Sequence, residues 1–324
     1  MKQRDFGIDI LKVIAVLLII NSHADDMYPH MKVLATGGAI GDCLFLFCSG
    51  FTLFMGGVKS FDNFYKGRIN RIYPTVFAAV AFKHIWWGTA DIHYGELLCL
   101  GTFISAIMVY YVLIYFVKKY LMEWLNMTLA LVGLISLVVY LCWFPYKYET
   151  GSEGLYGITT GYRWIPYFGA MLLGAIVGIK RKQMTYHARC DFAKFMVCLV
   201  LFYGIQMVAK MYRPIAPWQI VSLFPLMALL IYLYKWCCCS WFKMIYEMKW
   251  GNRTIMMVGG LCLESYLIQF TFFTDRMNHI WPMNILVIII VILFFSYIVR
   301  CGARVFSQTF RTEDYEWKKV FSLY

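Results

Sequence analysis

A lysine and a histidine in the first apolar segment have the types and spacing that could do chemistry. Lys12 and His23 lie eleven positions apart, which on a helix places them on nearly the same face, roughly 16 Å apart along the axis. Such side chains are costly in a membrane helix unless they face protein or water. A neutral imidazole can accept a proton from a hydroxyl group, so His23 is our candidate general base. The alternative is a hydrogen-bonded histidine near the end of a span.

Three carboxylates are candidates for orienting the imidazole of His23, namely Asp25, Asp42 and Glu264, and the sequence does not choose between them. Asp42 and Glu264 lie inside apolar segments, where an acidic side chain indicates function by default. For Glu264 a hydrogen bond in helix packing is the alternative. We therefore predict a catalytic group of His23, Asp42 and Glu264.

Two arginines spaced i, i+3, Arg68 and Arg71, come at the end of a predicted loop just before Pro74. On a helix this spacing puts both guanidinium groups on one face, where they suit a phosphate group. Ordinary arginines on the cytoplasmic side of a membrane are the alternative. We predict that Lys12, Arg68 and Arg71 hold an anionic substrate.

The composition predicts an all-α integral membrane protein. The chain has 324 residues, of which 61% are hydrophobic and 15% charged, against about 45–50% and about 25% in soluble domains. Long apolar runs favour helices over the alternating pattern of a barrel. With about 20 residues per span, we predict about ten transmembrane helices near residues 7–26, 38–57, 72–88, 97–117, 126–145, 163–180, 192–210, 217–236, 254–274 and 281–303.

The positive charges predict the orientation. With the N-terminus inside, most of the 30 lysine and arginine residues fall on the cytoplasmic side, as the positive-inside rule requires. Both termini are then cytoplasmic, with a transmembrane domain over 1–305 and a cytoplasmic C-terminal tail over 306–324. The net charge of +12 is explained by topology and anionic membrane lipid, not by nucleic acid. The external loop Pro145–Arg163 is a candidate contact for a polar substrate.

Several other classes of site are excluded or disfavoured. The eleven cysteines show no CxxC pair and no metal-like spacing, so we predict neither a metal nor a disulfide framework. HxxxxD, GxSxG, HExxH and Walker A motifs are absent from the sequence.

Small residues at Gly41, Ser49 and Gly50 predict close helix packing.

Together these residues resemble the membrane acyltransferase type 3 family. That family has about ten spans, a basic residue and a histidine separated by ten residues in the first span, a glycine-to-SGF stretch and an RxxR segment before a proline. The matching pieces are Lys12-x10-His23, Gly41–Phe51, Arg68-x-x-Arg71 before Pro74, Tyr110-Tyr111, Tyr167–Gly174 and Ser265–Ile268. Lysine replaces the commoner arginine at position 12, and Gln269 stands where many members have a histidine.

The resemblance implies transfer of an acyl group, usually acetyl, from acyl-CoA to a hydroxyl of a sugar or cell-surface glycan. We therefore expect an O-acetyltransferase-like enzyme in the plasma membrane of a bacterium. Its expected partners are acyl-CoA, a glycan or sugar acceptor and membrane lipid, with a homo-oligomer left open. A covalent acyl-histidine is an alternative to direct transfer.

Two other functions compete with this one. A transporter or exporter of a sugar or lipid-linked intermediate would also place Lys12, His23, Asp42 and Glu264 along a polar path. It would not consume acyl-CoA. A structural subunit of a glycan-synthesis complex would tolerate replacement of these polar residues.

Overall fold

A computed structural model describes residues 4–99, 102–143, 154–156 and 161–323, and all its regular elements there are helices. The α-helices are α1 Phe6–Ser22, α2 Gly38–Phe54, α3 Phe61–Trp87, α4 Tyr94–Leu98, α5 Phe103–Tyr120, α6 Leu125–Trp143, α7 Trp164–Lys180, α8 Ala188–Met211, α9 Leu223–Cys237, α10 Ser240–Glu247, α11 Lys249–Gly260, α12 Cys262–Ile268, α13 Met283–Thr309 and α14 Trp317–Val320. Short 3₁₀ turns connect several of them, including Asp25–Met27 and Gln269–Thr271. The predicted all-α class is confirmed.

Seven helical segments of the described chain are long and apolar enough to cross a membrane, or eight if one bent pair is counted as a span. They are Lys32–Phe54, Phe103–Tyr120, Leu125–Cys142, Gly161–Gln183, Ala188–Met211, Pro214–Cys237 and Met283–Thr309, and the bent pair is Lys249–Gly260 with Cys262–Thr271. With 17 residues, α1 is roughly 26 Å long, somewhat less than the hydrocarbon core of a bilayer. The count of ten and the cytoplasmic placement of both termini stay predictions.

The described chain divides into two compact units. Unit 1 comprises Met1–Leu11, Asp42–Val58 and Phe116–Ile245, and unit 2 comprises Lys12–Gly41, Lys59–Tyr115 and Tyr246–Tyr324. Unit 1 therefore contains most of α2 and the helices α6–α9. Unit 2 contains α3, α4, α11–α14 and the end of α1.

The core of unit 1 is built on a direct backbone contact between α2 and α7. A Cβ atom on Gly50 would collide with the carbonyl oxygen of Met171, and one on Gly174 would collide with that of Phe47. Only glycine permits this approach, as in other closely packed membrane helices. The close packing predicted at Gly50 is confirmed.

Two lysines of unit 1 satisfy buried polar groups. Lys118 donates hydrogen bonds to Leu53 O (2.7 Å) and to Gly56 O (2.6 Å), carbonyls at the end of α2 that lack helical partners. Lys235 on α9 pairs with the buried Asp191 on α8 at 3.0 Å. These positive charges have partners within the protein.

In unit 2, helix α3 packs against α12 and α13. A cluster of aromatic side chains lies in this contact, and the rings of Phe272 and Phe295 stack with their centroids 4.9 Å apart. Trp86 meets Phe272 edge-on at 5.2 Å, and Phe82 lies 5.6 Å from Phe295. This cluster fixes the segment that follows α12.

The structure changes two local predictions and leaves a third largely untested. Helix α3 continues through Pro74, so Arg68 and Arg71 lie on a helix and not in a loop. The predicted ninth span is broken near Leu261, and its halves α11 and α12 meet at 49°. Of the loop Pro145–Arg163, residues 145–153 and 157–160 lie outside the described residues.

The predicted tail over 306–324 packs on α13, which itself extends to Thr309. Arg304 donates to the carbonyl oxygens of Val320 (3.0 Å) and Ser322. Tyr297 donates to Phe321 O at 2.8 Å. This segment is therefore attached to unit 2 and not detached from it.

Candidate active site

Five of the six predicted site residues lie in unit 2, namely Lys12, His23, Arg68, Arg71 and Glu264, and Asp42 lies in unit 1. In unit 1, Asp42 accepts a hydrogen bond from Tyr167 and interacts electrostatically with the positive charge of Arg163. A role for Asp42 in catalysis stays a prediction.

His23 lies one residue beyond the end of α1 and is half-buried. Its backbone N–H donates to Ile20 O (3.3 Å), so the chain leaves the helix there in a turn. Helix α1 therefore ends at Ser22, earlier than the predicted span over residues 7–26, and a shared face for Lys12 and His23 stays a prediction. His23 thus lies at a helix end, as does the hydrogen-bonded histidine that was the alternative to a general base.

Hydrogen bonds of Asn21 fix the turn that carries His23. Asn21 donates to Leu34 O (2.8 Å) and Thr36 O (2.9 Å), and it accepts a hydrogen bond from Tyr28 at 2.5 Å. Burial raises the pKa of the Tyr28 phenol, so this donor keeps its proton. These three bonds hold the loop after His23 against the end of α1.

The same loop is held by residues that precede and begin α13. Asn284 donates to Met27 O at 2.8 Å, and Asn278 donates to Asp26 O at 2.9 Å. Asp25 is exposed to solvent. The loop after His23 is thus anchored through its backbone, and its acidic side chains remain on the surface.

An aromatic side chain covers the imidazole. The ring centroid of Phe270 lies 4.8 Å from that of His23, with 56° between the ring planes. Phe270 belongs to the 3₁₀ turn Gln269–Thr271 that follows α12. The broken span therefore supplies one wall of the His23 site, a contact that the sequence analysis did not predict.

Glu264 lies on α12 and is buried together with Arg300 of α13. Both carboxylate oxygens accept hydrogen bonds from Arg300, at 3.0 Å and 3.1 Å. Arg300 also donates to Gly260 O, a carbonyl at the end of α11. Arg300 thus holds the two halves of the broken span together. A direct role for Glu264 at His23 stays a prediction.

Gly260 leaves room for the guanidinium of Arg300 at the break. A Cβ atom at position 260 would lie 2.9 Å from Arg300 Nη1, closer than real Cβ contacts. In the sequence Arg300 looks like a cytoplasmic charge at the end of the last span. Its pairing with Glu264, 36 positions earlier, could only be found from the fold.

Arg68 lies on α3 between two aromatic rings. Its guanidinium carbon is 5.4 Å from the centroid of Phe64 and 5.6 Å from that of Tyr111. The Nε atom of Arg68 is buried and has no hydrogen-bond partner among the described residues. Arg71, one turn further along α3, is exposed. The two arginines are neighbours on the helix, but only Arg68 is held in a packed environment.

Lys12 is half-buried on α1. Within the described part of the chain, no group of three or more His, Cys, Asp or Glu side chains is arranged to hold a metal ion. The chemistry that these side chains offer is proton transfer at His23 and anion binding at Arg68 and its neighbours.

The helices and these side chains together define a multi-pass membrane protein. The model of the acyltransferase 3 family, described as an acyltransferase domain, matches residues 5–301. The chain belongs to this family and is a membrane acyltransferase. No curated protein matches the chain, and no solved structure matches it either.

Proposed function

We propose that the protein transfers an acyl group, acetyl in the simplest case, from acyl-CoA to a hydroxyl group of a sugar or cell-surface glycan. The observation that carries the choice of donor is the environment of Arg68. Its buried Nε–H has no partner in the described chain, and two aromatic rings flank the guanidinium. An arginine held in this way supports binding of a phosphate oxygen, which acyl-CoA supplies.

In the proposed reaction, His23 accepts the proton of the acceptor hydroxyl while the oxygen attacks the thioester carbonyl. A new C–O bond forms and the C–S bond breaks. The CoA thiolate leaves and takes up the proton that His23 accepted, so the products are an ester and free CoA. Lys12, Arg68 and Arg71 bind the phosphates of CoA, with Arg68 making the packed contact.

Membrane placement follows the positive-inside pattern. We propose the cell membrane of a bacterium, with the N-terminus and Arg68 on the cytoplasmic side, where acyl-CoA is available. Arg300 is not counted among the cytoplasmic charges, because Glu264 neutralises the charge of Arg300 inside the protein. The remaining cytoplasmic lysines and arginines still outnumber the external ones.

The test uses the purified full-length protein in lipid nanodiscs with [14C]acetyl-CoA and a glycan extract of the source cells. We expect label in the glycan and release of free CoA with the wild type. His23→Ala should lower transfer by about 10²–10⁴-fold, the usual effect of removing a general base. The matched control is His30→Ala, because His30 is an exposed histidine of the same region.

Two results would contradict the proposal. A wild-type protein that leaves acetyl-CoA intact would remove acyl-CoA as the donor, and it would favour the transporter alternative. A His23→Ala variant that transfers acetyl at the wild-type rate would remove His23 as the base. Equal membrane levels of the two variants, measured in the same preparations, exclude loss of protein as the cause.

A further inference from the structure

Gln269 is the most unusual buried side chain of unit 2. It is fully buried, and neither its amide nitrogen nor its amide oxygen has a hydrogen-bond partner among the described residues. An exchange of the two amide atoms would not alter this, because both ends are unpaired. Each unpaired buried polar group costs about 1–3 kcal/mol, so such an amide indicates a partner from outside the chain.

Other buried polar side chains close to Gln269 in the sequence do have partners. Glu264 is paired with Arg300, and Ser265 donates to Cys262 O at 3.1 Å. Asn284, an amide that is equally buried, donates to Met27 O and to Asn278 Oδ1. The missing partners are therefore specific to Gln269 and not a general property of this part of unit 2.

The position of Gln269 connects it to the His23 site. It begins the 3₁₀ turn Gln269–Thr271, and the next residue, Phe270, contacts the imidazole of His23. Adjacent Cα atoms are about 3.8 Å apart. The turn is fixed on one side by the Glu264–Arg300 pair and on the other by the ring stack of Phe272. Gln269 is thus held on the rigid segment that forms a wall of this site.

The chemistry of an amide limits the class of ligand. Oε1 accepts hydrogen bonds and Nε2 donates them, so the matching ligand must both donate and accept. A thioester carbonyl and a phosphate oxygen only accept. A hydroxyl group does both, as do the amides of the pantetheine arm, but two neighbouring hydroxyls of a sugar can pair with both amide atoms at once. Separate titration of acceptor and acetyl-CoA distinguishes these two sources.

We propose that Gln269 is a binding residue for the acceptor, whose amide pairs with neighbouring hydroxyl groups of a sugar at the His23 site. The proposal rests on the proposed function, since it assumes a hydroxyl acceptor. It adds a specificity-determining residue to the acceptor side of the reaction. The arginines serve the donor side.

The first measurement separates the two substrates. The full-length protein in nanodiscs is assayed with [14C]acetyl-CoA at varied concentration and with a titrated glycan extract of the source cells as acceptor. Gln269→Met keeps the length of the side chain and removes both polar atoms. We expect the half-saturating acceptor concentration to rise about 10–100-fold, because two hydrogen bonds are lost, and that of acetyl-CoA to stay within about twofold.

Two further variants sharpen the result. Gln269→Glu keeps the acceptor atoms and removes the donor, so it should also weaken acceptor binding. Gln206→Met is the matched control, because Gln206 is a span glutamine whose amide has a partner, Phe202 O at 3.1 Å. The control should leave both half-saturating concentrations unchanged. Equal acceptor saturation in Gln269→Met and wild type would overturn the proposal.

The second measurement needs no activity. Without substrate, Gln269→Met should melt at the same temperature as the wild type or higher, because it removes an unpaired buried amide. A melting temperature lower by several degrees would overturn the proposal, since the amide would then have a protein or water partner in the ligand-free state. Failure of the proposed function is recognised separately, as a wild type that transfers no label.

Discussion

Glu264 and Arg300 form a two-point ion pair at the break between α11 and α12, with N–O distances of 3.0 Å and 3.1 Å. Arg300 also binds the carbonyl oxygen of Gly260. One guanidinium thereby joins α13 to both halves of the broken span. Since that span continues into the turn with Gln269 and Phe270, the pair sets the position of a wall of the His23 site.

Breaking this pair should destabilise the protein strongly. Arg300→Met leaves Glu264 as an unpaired buried charge, and we expect a loss of about 3–5 kcal/mol of unfolding free energy. The double variant Glu264→Gln with Arg300→Met should recover part of the loss. Unfolding in a detergent titration measures both.

The control for this prediction is the exposed pair of Glu316 and Lys319. Lys319→Met should change stability by less than about 1 kcal/mol, as is usual for surface ion pairs. If Arg300→Met changed the unfolding free energy as little as this control, the Glu264–Arg300 pair would not stabilise the break between α11 and α12.

Arg68 and Arg71 should differ in their effect on the donor. Arg68→Met removes the packed guanidinium, and we expect the half-saturating acetyl-CoA concentration to rise about tenfold or more. Arg71→Met should have a smaller effect, because Arg71 is exposed. Initial rates at varied acetyl-CoA measure both variants. The control is Lys66→Met, because Lys66 is an exposed cation of α3 two positions before Arg68 and therefore on a different side of the helix. An Arg68→Met protein with wild-type saturation would contradict the proposed phosphate contact.

The contact between α2 and α7 should not tolerate one added methyl group. Gly174→Ala places a Cβ against Phe47 O, and overpacking of this kind costs about 1–3 kcal/mol. The comparison is Gly204→Ala on α8, where a Cβ would meet no atom within 4 Å. That change should be neutral or stabilise by about 0.5–1 kcal/mol. Similar melting temperatures for the two variants would show that the helices separate easily.

The ion pair of Asp191 and Lys235 should stabilise unit 1. Asp191 is almost fully buried, and its second oxygen accepts from His187 N at 2.7 Å. Lys235→Met leaves this carboxylate without its cation, and we expect a loss of about 3 kcal/mol. Lys194→Met, an exposed lysine of the same region, should change the unfolding free energy by about 0.5 kcal/mol or less. Equal losses in the two variants would argue against the buried pair.

Much of the fold class could be predicted from the sequence because apolar runs of span length are a strong local signal. The family was also predictable, since its motifs are short and occur in order. The course of α1 near His23 was not, because the residues that end the helix there act through the loop that follows. The partner of Glu264 was hidden for another reason: an arginine at the end of a span has the same sequence pattern whether it faces the cytoplasm or a buried carboxylate.

The importance of Gln269 could be predicted only in part from the sequence. The sequence marks it as a departure from the family, where many members have a histidine. A glutamine cannot exchange protons near neutral pH as an imidazole can. Only burial and the absence of partners among the described residues show that its amide has unused hydrogen-bonding capacity.

The glycine contact in unit 1 also limits where substrates and lipids can pass through the protein. Where α2 and α7 touch backbone to backbone at Gly50 and Gly174, not even a methyl group fits between them. A lipid tail cannot enter there, and neither can the pantetheine arm of CoA nor a sugar. This seam is closed to permeation, so any route by which donor and acceptor meet must bypass the α2–α7 interface.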